Sequence, residues 1–288
     1  MNFPARPSFI IPLAHGRALS VGARTLIMGI LNVTPDSFGD AVRLTPETIV
    51  ETALQMQSAG ADLIDVGGES TRPGATPVDV DEELRRVVPA VRALAASVRV
   101  PISVDTYKAA VARAAIDAGA SMVNDVSGLQ YDSALGSVVA QCGAALILMH
   151  TRGRSTDMYE RASYEDVVEE VVVELRGALA RATAAGVTLE QTIVDPGIGF
   201  AKRPEHSYGV LARLSEIGDA LGRPVLVGPS RKSFLRTALG ERPAAERDWG
   251  SAAAVTAAVL GGAHVVRVHA VGEMAQAARV ADEIRKHG

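Results

Sequence analysis

The sequence predicts a single closed (β/α)8 TIM barrel with a short N-terminal β-hairpin, and three observations predict it. Short apolar runs rich in Val, Ile, Leu or Met stop at a polar residue eight times, at Asn32, Glu69, Asp105, Asn124, His150, Asp195, Ser230 and His269. Each run is followed by a loop and then a stretch of helical periodicity, as for parallel strands covered on both faces by crossover helices. No G-x-G-x-x-G follows the first strand run, where a doubly wound dinucleotide fold would carry it. In such a barrel the active site lies at the C-terminal strand ends, so the eight polar residues would converge on one mouth.

Residues 9–25 read as a hairpin with His15, Gly16 and Arg17 near its turn, placed to plug the bottom of the barrel. The chain then divides into an N-terminal segment, 1–25, and a barrel, 26–288, within one domain. The first strand covers 26–31. Thr45, Pro46 and Glu47 follow as N-cap, proline at the first helical position and acidic first turn. Ile49, Val50, Ala53, Leu54 and Met56 keep helical spacing until Gly60. Strand LIDVGGE leads to a helix with Leu84, Val87, Val88, Val91 and Leu94 on one face. Strand PISVDT offers Thr106 as N-cap for a helix ending at Gly119, and MVNDVSG, ALILMH, TIVDPG, VLVGPSR and VVRVH complete the set. The fifth helix, over about 164–184, carries Val168, Val171, Val172, Leu175, Leu179 and Ala182 at core-facing spacing.

Composition narrows the function classes. A chain of 288 residues with 48% apolar content suits one large aliphatic core. The net charge of -4 is spread without a basic stripe, which argues against nucleic acid. One cysteine, Cys142, excludes an internal disulfide and fits a reducing, cytoplasmic setting. Neither a secretory h-region nor an apolar stretch of about 18 residues is present, so no signal peptide or membrane span is expected. H-E-x-x-H, C-x-x-C and G-x-S-x-G are also missing, which disfavours zinc and serine-nucleophile chemistry.

The strand ends carry the chemistry. Asn32 offers a neutral oxygen, suited to Mg2+ held mainly by phosphate and water, although an Asn also caps turns. Gly67, Gly68, Glu69, Ser70, Thr71 and Arg72 combine close backbone approach, hydroxyls and a guanidinium fork. Asp105, Asn124 and Asp195 suit the alternating donor–acceptor edge of a heterocycle such as a pterin, or else act as helix caps and ion-pair partners. Lys232 is a point charge for a ring carbonyl or an anion. Arg267 and His269, alternate residues of one strand, form with Arg72 an anion pocket where barrels often bind phosphate. His150 stands evenly between site and support.

The strings MGILNVTPDSF, DVGGESTRPG, DPGIGF, SRKSF and RVH resemble, in order and spacing, the motifs of the dihydropteroate synthase family over roughly residues 27–269. The resemblance implies a cytoplasmic homodimeric enzyme of folate biosynthesis. It would join dihydropterin-6-ylmethyl diphosphate to 4-aminobenzoate and release diphosphate with Mg2+. It implies that Asn32 contacts Mg2+ and diphosphate, and that Thr71, Arg72, Arg267 and His269 bind the diphosphate. Asp105, Asn124, Asp195 and Lys232 would hold the pterin, with Met149 and Phe200 against its ring. Phe38, Thr71, Arg72, Pro73, Lys232 and Ser233 would frame the aminobenzoate. The implied step is dissociative and needs no protein nucleophile, with Asp36, Lys232 and Arg267 as catalytic groups and Asp36 steadying the cation. The sequence departs from the family pattern at Ala270, where Asp is common, at Ala201, where glycine is usual, and in the first loop, which lacks a Gly pair. These departures leave open whether sulfonamides, the family's aminobenzoate mimics, inhibit it. A non-condensing pterin-binding paralogue and a pterin-dependent methyltransferase domain are the alternatives. The latter would not need the SRKSF lysine or the Arg267/His269 pair.

Overall fold

The computed structural model describes residues 3–34, 45–71 and 74–288. A hairpin, β1 (Phe9–Pro12) and β2 (Ala18–Val21), comes first. Then follow β3 (Leu26–Asn32), α1 (Pro46–Ser58), β4 (Leu63–Gly67), α2 (Val80–Ser97), β5 (Ile102–Asp105), α3 (Ala109–Asp117), β6 (Met122–Asp125) and α4 (Leu135–Cys142). The second half comprises β7 (Ala145–Met149), α5 (Val167–Ala184), β8 (Thr192–Asp195), α6 (Pro204–Ala212), α7 (Leu214–Leu221), β9 (Leu226–Val227), α8 (Arg236–Leu239), α9 (Asp248–Leu260), β10 (Val265–Val268) and α10 (Val271–Lys286). The parallel strands pair in the order β8-β7-β6-β5-β4-β3-β10-β9. A single parallel bridge, Val194 to Val225, joins the two ends and closes the barrel.

The strands form because their runs can be buried on both faces. Every residue of β4 and β7 is buried. Outward residues such as Ile64, Val66 and Leu146 pack under the helices with Val87, Val91, Leu94 and Val171. Inward residues Met28, Leu63, Met122, Ile147, Ile193, Leu226 and Val265 meet Ile11, Leu13, Leu19 and Val21 of the hairpin. Ala14 N–H donates to Ser121 O at 3.2 Å, and His15 Nε2 lies 3.0 Å from Ala120 O. The hairpin is thus a plug at the end opposite the mouth. Burying Ile11 completely is worth roughly 1.5–3 kcal/mol.

Local signals act largely as expected. Thr45 caps α1, Asp79 caps α2 and Asp166 caps α5 through side-chain oxygens that accept first-turn N–H groups. Three expectations need correction. Thr106 does not cap α3; its Oγ1 accepts from Lys108 N–H at 3.2 Å, and the Ala109 N–H at the helix start is satisfied by Asp132 from the next loop. The fifth helix, α5, starts at Val167 rather than at 164, because Asp166 caps it and the Tyr164 hydroxyl donates to Ala201 O. The seventh run yields only two ladder residues, since Gly228 is followed by Pro229, which has no N–H to give. Among the described residues no helix is long and apolar enough to cross a membrane.

Candidate active site

Asp105, Asn124, Asp195 and Met149 end their strands or sit within one residue of the end, so register alone brings them to one rim; Asp105 pairs with Asn124 and Met149 with Asp195. On the β4–β6 side a carboxylate cluster surrounds one guanidinium. Arg267, from β10, donates through Nε to Asp65 at 2.6 Å and through Nη2 to Asp105 at 2.7 Å. Asn124 Nδ2 donates to the same Asp65 oxygen at 2.9 Å. Burial pushes the Asp105 carboxyl up to about 7: Arg267 pulls it down, but Asp65, Glu83 and Asp125 add to the rise. Arg267 is therefore tied into the carboxylate side of the mouth through Asp65 and Asp105.

The β7–β9 side carries amines. Lys232 Nζ donates to Ile198 O at 2.5 Å and lies 4.5 Å from the Phe200 ring centre. Its stem runs over Gly199, at φ +76°, where a Cβ would come within 3.1 Å of Lys232 Cδ. Burial lowers Lys232 to about 8, against the pull of Asp195. Asp195 is raised by burial, opposed first by Lys232, and its Oδ1 accepts from Gly197 N–H at 2.7 Å. Lys202, fully buried, lies with Nζ 2.7 Å from His150 Nδ1, and burial lowers it to about 7. His150 Nε2 faces Glu174 at 3.1 Å. Burial and Lys202 lower His150 to about 4, so the ring is neutral: Nδ1 accepts from Lys202 and Nε2–H donates to Glu174. Burial opposes ionisation of Glu174, yet its bonds to His150 and Arg152 hold it down to about 2. His150 thereby takes the supporting role.

On the remaining arc, Asn32 ends β3 opposite Gly67. A Cβ on Gly67 would meet Asn32 Oδ1 at 3.6 Å and Asp105 Oδ2 at 3.7 Å, so the glycine keeps the space between them open. His269 follows β10, its Nδ1 3.1 Å from Ser230 Oγ. Ser233 Oγ lies 3.4 Å from the Tyr159 hydroxyl. Glu69 accepts from Lys108 Nζ at 2.5 Å and from Tyr107 at 2.8 Å, and Lys108 also pairs with Glu83, which fastens the loop after β4 to α2 and α3. Beside it Thr71, Tyr107, Val126, Tyr131, Met158 and Phe200 line a small cavity. Asp36, Phe38, Arg72 and Pro73 lie outside the described residues. Among those described, no three His, Cys, Asp or Glu side chains form a metal-binding group. Asn32, whose Oδ1 borders the space that Gly67 leaves open, would contribute a neutral oxygen to a divalent cation held mainly by phosphate and water, a donor set that Mg2+ accepts.

Sequence reading missed Asp65 and Lys202. Asp65 had a signal, a charge inside an otherwise apolar run, which has to be paired when buried. Lys202 had none, because a lysine two residues past Phe200 also suits an exposed loop.

The barrel gathers buried carboxylates, an amide and an amine at one mouth, and the pterin binding enzyme family matches residues 28–269, which makes this a (β/α)8 barrel of the pterin-binding class. The dihydropteroate synthase of Synechocystis sp. is 46% identical over 275 residues, covering 95% of both chains, and that of Escherichia coli K12 is 44% identical, covering 93% of this chain and 94% of its own. The Yersinia pestis dihydropteroate synthase, solved with a sulfonamide drug, superposes with a TM-score of 0.89 at 41% identity, covering 95% of this chain and 98% of the other. That of Burkholderia cenocepacia, complexed with 7,8-dihydropteroate, gives 0.87 at 38% identity, covering 100% and 99%. The chain belongs to the dihydropteroate synthase family.

Proposed function

We infer that this chain condenses (7,8-dihydropterin-6-yl)methyl diphosphate with 4-aminobenzoate to give 7,8-dihydropteroate and diphosphate. The observation that carries the reading is the convergence of Asp105, Asn124, Asp195 and Lys232 on one mouth beside Arg267. In this reading the carboxylates and the Asn124 amide bind ring N–H groups, Lys232 donates to the ring carbonyl, and Phe200 and Met149 pack on its faces. Asn32, Thr71, Arg72, Arg267 and His269 face the diphosphate. Phe38, Pro73, Ser233 and the Lys232 stem frame the aminobenzoate.

The mechanism needs no protein nucleophile. The bond from the exocyclic methylene to diphosphate oxygen breaks, and diphosphate leaves with the electron pair. The ring spreads the resulting positive charge, the aromatic amine attacks the methylene, and the amine then releases its extra proton. Catalysis by this chain is positioning plus electrostatics. Mg2+ bound at Asn32 and the diphosphate would neutralise the leaving group. Asp36 is assigned to steady the cation, and a normal turnover number in Asp36→Ala would reject that role.

Turnover with both substrates and Mg2+, with and without a chelator, tests the reading. Stoichiometric dihydropteroate and diphosphate are expected; pterin binding without diphosphate release would make the chain a non-condensing paralogue. The ratio of the sulfonamide inhibition constant to the aminobenzoate KM decides whether the first-loop and Ala201 departures make it drug-insensitive. Light scattering at twice the chain mass would support the homodimer we assign.

A further inference from the structure

We propose that Asp65, midway along β4, is a positioning residue that decides how the mouth reads its heterocycle, an inference that rests on the pterin reading above. Its side chain is fully buried, and its Oδ2 receives both Arg267 Nε at 2.6 Å and Asn124 Nδ2 at 2.9 Å. A carboxylate paired with a guanidinium has only acceptors to offer. The Asn124 amide is therefore locked with its NH2 toward Asp65, because the flipped amide would set oxygen against oxygen. Asn124 Oδ1 is left as the atom for the ligand, so with Asp105 and Asp195 the mouth presents acceptors and selects a ring edge rich in N–H donors. The same carboxylate aims Arg267, whose Nη2 reaches Asp105.

A purely structural role would not ask for this residue. The neighbours of Asp65 on β4 are Leu63, Ile64 and Val66, and its other oxygen, Oδ1, is buried with no hydrogen-bond partner among the described residues, as is Ser103 Oγ opposite it in the β4–β5 register. An unpaired buried carboxylate oxygen costs stability. A well-packed apolar residue commonly serves a scaffold as well or better than a buried ion pair. Asp65 is retained against that cost by what it does to Asn124 and Arg267.

The test is a double-mutant cycle on the full chain, Asp65→Asn with Asn124→Ala. Titration calorimetry follows the pterin diphosphate, and steady-state kinetics follow the aminobenzoate KM. In the native background Asp65→Asn is expected to weaken the pterin diphosphate about thirtyfold while the aminobenzoate KM changes by less than about twofold. In the Asn124→Ala background the same substitution should cost only about threefold, because the amide it orients is gone and only its hold on Arg267 is left to lose. An equal cost in both backgrounds, or pterin affinity within about twofold of native in Asp65→Asn, overturns the proposal. If Asp65→Asn does not fold, Asp65→Ser takes its place with the same expectations; failure of both to fold assigns Asp65 to the scaffold and also overturns it. The native protein is titrated alongside: no pterin binding there would defeat the reading of function, whereas native binding with an indifferent Asp65→Asn defeats only this inference.

Discussion

On the β4–β6 side of the mouth carboxylates outnumber the cation, and Asp65 and Asp105 share Arg267 through bonds of 2.6 and 2.7 Å. On the β7–β9 side amines outnumber the carboxylate: Lys202 and Lys232 both act on Asp195, and their described hydrogen bonds run to a histidine nitrogen and backbone carbonyls rather than to a carboxylate. Burial therefore moves the two sides in opposite directions, Asp105 up to about 7 and the lysines down to about 7 and 8. The acidic side is internally paired, so its acceptors are fixed in direction. The basic side holds amines whose positive charge an electron-rich ring carbonyl or an anion would stabilise.

The largest expected effect breaks the basic side. Lys232→Ala should weaken pterin diphosphate binding by about 10–100-fold, the worth of a charged hydrogen bond in a buried site, and an unchanged calorimetric affinity would refute its role. On the acidic side the handle is pH. The raised Asp105 carboxyl must be ionised to accept from a ring N–H, so pterin affinity should rise with pH through about 7 and fall up to about tenfold per unit below it. Asp105→Asn should flatten that dependence, and a profile that keeps its inflection would transfer the titration elsewhere. For stability the sign is the reverse. A carboxyl raised in the folded state stabilises fully below its unfolded value, and that contribution is lost as pH rises through about 7. Lys202 shows the opposite sign: an amine lowered to about 7 stabilises above the ordinary lysine value, and the contribution is lost as pH falls through about 7. Lys202→Met should therefore narrow the Tm gap between pH 9 and pH 6, measured by calorimetry. The smallest change is Ala201→Gly. Ala201 sits at φ +46°, the left-handed region that costs a side-chain-bearing residue roughly 1–2 kcal/mol. After glycine's entropic cost the gain is about 0.5–1 kcal/mol, seen as a Tm higher by about 2 °C; a lower Tm would show that the Ala201 methyl contributes packing.

Fold and rim were legible because both rest on local rules. An apolar run that ends in a polar residue marks a buried strand and its exit, and Asp105, Asn124 and Asp195 stand where that rule puts them. Partnership was not legible. Asp65 meets Arg267 across 202 positions, and nothing in LIDVG names the cation that pairs with it. The reading of Arg267 with Arg72 and His269 followed from strand alternation, which gives a side chain's face but not which carboxylate claims its fork. Lys202 and His150 escaped for the same reason, since their contact joins the loop after β8 to the end of β7. The α3 cap was misread because Asp132, from a later loop, competes with the nearer Thr106. Individual ligand roles came from the motif resemblance, not from periodicity.

The barrel closes through one bridge, Val194 to Val225, supported by Val194 N–H to Pro224 O at 2.9 Å, and β9 holds β10 by only two pairs. A cylinder with one narrow joint has a preferred place to breathe. Deuterium should enter the amides of Val194 and Leu226 before those of β4 or β7, whose ladders are longer on both sides. Residues 228–232 hang directly from that joint, so each such opening would carry the Lys232 turn with it while the other strands stay zipped. The arm of the mouth that bears Lys232 is thus mounted on its loosest stave.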